Sequence, residues 1–147
     1  MAIAAVCLCC FSCAPQGALT PEDAFTQLRD AAGRNDTEAV VRLLSIDSRK
    51  KIESAITVIA RMDNKQISAL SRTYGIAAGR MKNLSVKDYV FFSMVIDKNG
   101  SIFKEILVHS PVGVDRNRHR AVVRLENGME FEFVQEGPYW KFDMTRL

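Results

Sequence analysis

The sequence predicts an α+β domain in which N-terminal helices pack on a curved antiparallel β-meander, preceded by a signal segment. Three observations carry this. Apolar residues recur at helical spacing from Ala24 to about Tyr74. From Phe103 onward the period changes to two, most clearly over residues 121–144. The first twenty residues hold no charged side chain, and every charge lies from Glu22 onward. A chain of 147 residues suits one ordinary domain rather than two. At 48% hydrophobic and 25% charged, it is not disordered as a whole, and a net charge of +3 is too small to signal nucleic acid.

Thr20-Pro21-Glu22-Asp23 opens the first helix: a capping hydroxyl, a proline where no amide partner is needed, and acids at the positive end of the dipole. Ala24, Phe25, Leu28, Ala31 and Ala32 form its apolar face, and Gly33 ends it. Asn35 or Asp36 restarts a short helix through Val40, Val41, Leu43 and Leu44. A third helix begins near Ser48, with Ile52, Ala55, Ile56 and Ile59 on one stripe and Lys50, Ser54, Thr57 and Arg61 opposite. Asp63-Asn64 breaks it, and Ile67, Leu70 and Tyr74 mark a fourth helix closed by Gly75. Ser85-Val86-Lys87-Asp88 matches a capping box ahead of Tyr89 to Ile96. There the β-branched and aromatic content points to a strand and the cap to a helix; the helix is preferred. Ile106 to His109 reads as a strand of mixed facing.

The meander's register follows from its turns. A two-residue Asn127-Gly128 turn would set Leu125 against Glu130 and mix the faces. A three-residue turn with Gly128 left-handed pairs Leu125 with Met129, Val123 with Phe131 and Arg124 with Glu130. The next turn, Glu136 to Tyr139, brings Phe142 opposite Phe133. The inner face is then Ala121, Val123, Leu125, Met129, Phe131, Phe133, Trp140, Phe142 and Met144, a large apolar concavity that helices must cover.

Residues 1–18 form a separate signal segment and tether, and residues 19–147 the domain. Ala2 to Phe11 is an apolar run about half the roughly 20 residues a membrane span requires. It has the length of a signal-peptide core and is followed by Ser12-Cys13-Ala14. This stretch resembles a bacterial lipoprotein signal, although Cys10 stands where that family usually has Leu and no basic residue follows Met1. The resemblance implies lipidation at Cys13, an anchor in the membrane through acyl chains, and a bacterial cell-envelope location facing the periplasm or exterior. A cleaved signal without lipid and a buried N-terminal helix are the alternatives. Cys7, Cys9, Cys10 and Cys13 lack the paired spacing of a metal site. No cysteine remains in the domain, so it needs no disulfide.

The opening Thr20-Pro21-Glu22-Asp23-Ala24-Phe25, the Asn35-Asp36 restart and the closing Glu136-Gly137-Pro138-Tyr139-Trp140-Lys141-Phe142 resemble the cone-shaped superfamily that includes nuclear transport factor 2 and ketosteroid isomerase. The helical run from Ser48 to Met81 is longer than that superfamily usually shows. Its enzymes place an acid, base or hydroxyl inside the cone, and ketosteroid isomerase sites need an Asp base with a Tyr and a protonated Asp. No such constellation stands out here, and no catalytic residue is assigned. Asp143 and Tyr139 should point outward. His109 has no partner named by the sequence, His119 sits in a loop between two arginines, and no metal or cofactor motif is present.

The resemblance implies a ligand site in the cone, lined by Tyr74, Tyr89, Phe131, Phe133 and Trp140. Charge adds a second lead. Residues 48–83 carry eight basic and two acidic groups, whereas residues 21–47 carry three and six. The Arg49-Lys50-Lys51 helix and the cluster Arg116, Arg118, His119, Arg120 and Arg124 could meet anionic head groups. Three functions fit: a lipid-tethered module binding a small apolar ligand or a protein partner, which is the expectation; an isomerase- or dehydratase-like enzyme; and a structural envelope protein with a filled core. A homodimer through the outer sheet face stays open, since only Val122 and Val134 are apolar there.

Overall fold

The computed structural model describes residues 17–96 and 102–146. It is an α+β domain: among the described residues, seven α-helices precede a four-stranded antiparallel sheet of order β1-β2-β3-β4. The strands are β1 (Pro111–Asn117), β2 (Arg120–Leu125), β3 (Glu130–Glu136) and β4 (Tyr139–Asp143). No helix among the described residues is long and apolar enough to cross a membrane.

Helix α1 (Pro21–Gly33) starts where its cap predicts, with the Asp23 amide donating to Thr20 Oγ1 at 3.1 Å. Its buried face, including Phe25 and Leu28, lies on the inner face of β2 and β4. Phe25 meets Phe133 edge-on at 6.4 Å between ring centroids. The helix ends at Gly33, but the left-handed residue behind it is Asn35, at φ 55°. Asp36 then caps α2 (Thr37–Leu43) by accepting from the Ala39 amide at 3.0 Å. Helix α3 (Ile46–Ala60) begins earlier than the sequence suggests, because Ser45 rather than Ser48 is its cap. The helix α4 (Asn64–Tyr74) carries a full capping box between Asp63 and Gln66, and Gly75 closes it at φ 65°. A short α5 (Ala78–Met81) follows. Helix α6 (Val86–Phe91) starts at the Ser85–Asp88 capping box and widens into a π-helical turn over Phe92–Ile96. The helical preference for this stretch therefore holds.

Two expectations are corrected. Ile106 to Val108 is helical, not extended: it belongs to α7 (Ile102–Val108), and His109 follows in a bend. Phe103 and Ile106, three apart, are both buried while Leu107 and Val108 face out, which is the geometry of a helix face packed on α1. Period-two structure accordingly begins at Pro111. Asp143 does leave the inner face, yet it is only 4% exposed. It lies at the edge of β4, where α3 covers it.

The sheet register agrees with the turn argument. Val123 pairs with Phe131, Arg124 with Glu130 and Phe133 with Phe142, and the Leu125 amide donates to Met129 O at 2.8 Å around Gly128, at φ 84°. Phe131, Phe133, Trp140 and Phe142 are fully buried with Val123 and Leu125.

Strand β4 is the element that the rest of the chain ties onto. Its Trp140 amide donates to Ala18 O at 2.8 Å, and its Phe142 carbonyl accepts from the Ser45 amide at 2.8 Å. Gly17 lies flat on the Tyr139 ring, where a Cβ would stand 2.5 Å from a ring carbon. A buried polar chain completes the edge. The Ser45 hydroxyl donates to Ser48 Oγ at 2.8 Å, and Ser48 donates to Asp143 Oδ1 at 3.2 Å. The Met144 amide donates to Ser48 Oγ at 2.7 Å, and the Thr145 amide to Asp143 Oδ1 at 3.1 Å. Ser45, Ser48 and Asp143 thus each have a partner, which offsets the desolvation cost of burying them, whereas the buried Trp140 Nε1 has none among the described residues. Trp140→Ala is expected to destabilise the domain by about 3–5 kcal/mol, since it empties the largest buried side chain. Urea unfolding followed by far-ultraviolet circular dichroism measures this; a variant of near-native midpoint would place Trp140 outside the core.

Candidate functional site

The stripe on α3 is longer than the sheet can cover. Ile52 belongs to the sheet core, Ile56 touches both clusters, and Ile59 packs only on a second one. That second cluster is Ile67, Ile76, Met81 and Leu84, drawn from α4, the turn after it, α5 and the approach to α6. Gly75 makes it possible, because its left-handed backbone folds α5 back beside α4. The helices do not close completely. They leave a cavity of about 260 Å³ walled by Ile59, Met62, Leu70, Ile76, Met81, Leu84 and Phe92, with Tyr74, Tyr89 and Ser93. A dry apolar cavity of roughly 150 Å³ accepts benzene, so this one has room for a somewhat larger small molecule.

Tyr74 is 38% exposed and sits at the mouth, whereas Tyr89 is half-buried on α6. Their rings give the site an amphipathic lining, apolar in body and polar at the hydroxyl. Ser93 donates to Tyr89 O at 3.0 Å. Phe92 and Ser93 both lie in the π-helical turn, a local widening that occurs often at functional sites.

One wall is held by charge. Arg80 on α5 lies over the Phe92 ring at 5.5 Å and donates to Asp88 Oδ1 at 2.8 Å. Asp88 Oδ2 accepts from the Ser85 hydroxyl at 2.6 Å and the Ser85 amide at 3.0 Å. The Ser85 hydroxyl, followed by the Arg80 guanidinium, holds the Asp88 carboxyl down at about 2. Lys82 donates to Asn64 Oδ1 at 2.7 Å and ties α5 to the first turn of α4.

The residues expected to line one ligand site separate into two places. Tyr74 and Tyr89 come together in the helical cavity. Phe131, Phe133 and Trp140 do not join them: all three are fully buried, and the inner face of the sheet is packed by the protein's own side chains. Cys13 lies outside the described residues. His109 stands between Glu105 at 3.3 Å and Glu126 at 3.4 Å, at the junction of α7 and the β2–β3 turn, away from the cavity. His119 lies in the β1–β2 turn, 3.2 Å from Gln135 Oε1. The basic clusters are partly spent on internal contacts. Arg124 pairs with Glu130 and Asp115, Arg120 pairs with Glu132, and Arg116 covers the Trp140 ring at 4.9 Å. Lys50 is 3.5 Å from Asp47, and Lys51 donates to the Met144 and Thr145 carbonyls. Among the described residues, no group of three or more His, Cys, Asp or Glu could hold a metal ion.

Met62, Ile76, Met81 and Leu84 were not legible as site residues, because they stand at turns and short-helix positions outside any long periodic run. A usable signal was the surplus of the α3 stripe: Ile59 with Leu70 and Tyr74 exceeds what a four-stranded sheet buries.

A pH dependence follows from Asp88. Its carboxyl titrates at about 2 in the folded chain against 3.8 ordinarily, so its stabilisation is complete above about pH 4 and is lost as pH falls through 2. Asp88→Asn should therefore lower stability by about 1–2 kcal/mol at neutral pH, and the gap to the parent should shrink between pH 4 and 2. Thermal unfolding across that range measures it; a gap that is constant with pH would contradict the latch. Compared with known protein families, curated proteins and solved structures, the chain matches none.

Proposed function

We propose that this protein is a lipid-tethered binding module whose helical cavity takes a small apolar ligand. The observation that carries the reading is the cavity of about 260 Å³, in which Ile, Leu and Met side chains form the wall and Tyr74 and Tyr89 supply the few polar groups. A small apolar chamber with sparse polar groups suits binding and orientation of a ligand. Among the described residues the cavity lining contains no carboxylate or imidazole, which favours binding over an isomerase- or dehydratase-like acid–base role.

The same reading places the domain in the cone-shaped superfamily of nuclear transport factor 2. The capped α1, the Asp36 restart and the meander register support it. In this version of the fold the space beneath the sheet is filled by Phe131, Phe133 and Trp140, and the extra helices α4 and α5 carry the ligand chamber instead. The filled sheet core also favours the second reading, a structural envelope protein; the two differ in whether the helical cavity is occupied. Lipidation at Cys13, following the apolar run of residues 2–11, supplies the tether and places the domain at the bacterial envelope surface.

Leu70→Phe tests the chamber. Added ring volume in the cavity should expel ligand while leaving the sheet core untouched. In native mass spectra of the purified chain, the parent should carry extra mass lost on gentle activation, and the variant should not. A bare parent of unchanged mass would favour the structural reading. Cys13→Ala should move the protein from the membrane to the soluble fraction, because the acyl chains contribute about 0.8 kcal/mol per buried CH₂. Unchanged membrane retention would sink the anchor.

A further inference from the structure

The polar side chains around the helical cavity fall into two groups. Most are already bonded within the protein. Ser93 donates to Tyr89 O at 3.0 Å, and Ser71 donates to Ile76 O behind the end of α4. Arg80 donates to Asp88 Oδ1 at 2.8 Å, and Asp88 Oδ2 accepts from the Ser85 hydroxyl at 2.6 Å. The hydroxyls of Tyr74 and Tyr89 form the second group. Both side chains line the cavity, and neither hydroxyl has a hydrogen-bond partner among the described residues. Tyr89 also packs against the sheet core, so its side chain is held in place and has little rotamer freedom left to lose on binding.

We propose that the cavity selects an uncharged amphiphile, an alcohol or carbonyl compound, whose polar end bonds the Tyr74 and Tyr89 hydroxyls and whose hydrocarbon lies against Met62, Leu70 and Met81. This rests on the reading of the cavity as a ligand chamber and specifies what enters it. Benzene occupies a cavity of roughly 150 Å³, so a cavity of about 260 Å³ takes a molecule of roughly ten non-hydrogen atoms. A pure hydrocarbon would strip water from the two hydroxyls and return no hydrogen bond, which is unfavourable. A ligand with one polar end avoids that loss. A charged end is disfavoured in either sign. Among the described residues the lining holds no acidic or basic side chain, so an ionised group would be desolvated with no counter-charge. The one guanidinium at the wall, that of Arg80, is committed to Asp88, whose carboxylate repels an anion approaching it. Arg80 also lies over the Phe92 ring at 5.5 Å, where it opposes a second positive charge against that wall.

Four probes of similar size and different head test this: phenethyl alcohol, phenylacetate, phenethylammonium and ethylbenzene. Each is titrated calorimetrically at neutral pH into the full chain, stripped of bound small molecules and kept in one detergent throughout. The alcohol should bind at least about tenfold tighter than either charged probe. That comparison needs only the parent chain. In Tyr74→Phe/Tyr89→Phe the rings stay and the hydroxyls go, so the alcohol should lose about tenfold while ethylbenzene does not weaken. Thermal unfolding followed by circular dichroism checks that the variant is folded. A charged probe that binds as tightly as the alcohol overturns the proposal. So does a variant that weakens the alcohol and ethylbenzene equally, or neither. In those cases the chamber itself stands. Binding of none of the four probes overturns the chamber, and the head-group selection with it.

Discussion

The backbone and side chains of β4 act together as the constraint on which the rest depends. Trp140 and Phe142 are buried in the floor of the core, and the same two residues bind Ala18 and Ser45 through their main chain. The chain leading into α1 and the turn leading into α3 are therefore both registered on one strand. The buried Ser45–Ser48–Asp143 chain fixes where α3 begins. Once its start is fixed, the fifteen-residue helix runs past the end of the sheet core, from Ile52 on that core to Ile59 off it. The far end of its apolar stripe has no sheet beneath it, and α4, α5 and α6 gather around it instead. The cavity is a consequence of that geometry: one core closes over aromatic rings, and the other closes over short helices that cannot fill it.

The sheet was legible because strand facing has a period of two and hairpin register is set by turn length. Gly128 in the left-handed region and Arg124 opposite Glu130 follow from those rules alone. Helix starts were legible where a side chain caps them, as at Thr20, Asp63 and Ser85. Misreadings occurred where burial rather than pattern decides. The run Ile106-Leu107-Val108 has strand-like composition, but packing of Phe103 and Ile106 on α1 makes it a helix. Asp143 alternates correctly, yet whether an outward carboxylate meets water or Ser48 depends on a residue 95 positions away. The candidate site was half legible. Tyr74 and Tyr89 were readable from helical stripes. Nothing local says that Phe131, Phe133 and Trp140 serve the other core, because inner-face aromatics look the same whether they fill a cone or line one.

The two cores therefore divide the work. The aromatic layer under the sheet supplies rigidity, with Ser45, Ser48 and Asp143 bonded to one another along its β4 edge. The helical layer has the features of a region that opens: short helices, a π-helical turn, and a wall held by one exposed Arg80–Asp88 pair. Ligand binding at the helical layer would order that layer without asking the sheet to move.

Hydrogen–deuterium exchange on the chain as isolated, compared with the same chain stripped of bound small molecules by organic extraction and refolding, tests this division most directly. Stripping is expected to speed exchange across residues 59–93, which wall the cavity, and to leave β2, β3 and β4 protected as before. Faster exchange centred on the sheet, or no difference anywhere, would contradict it.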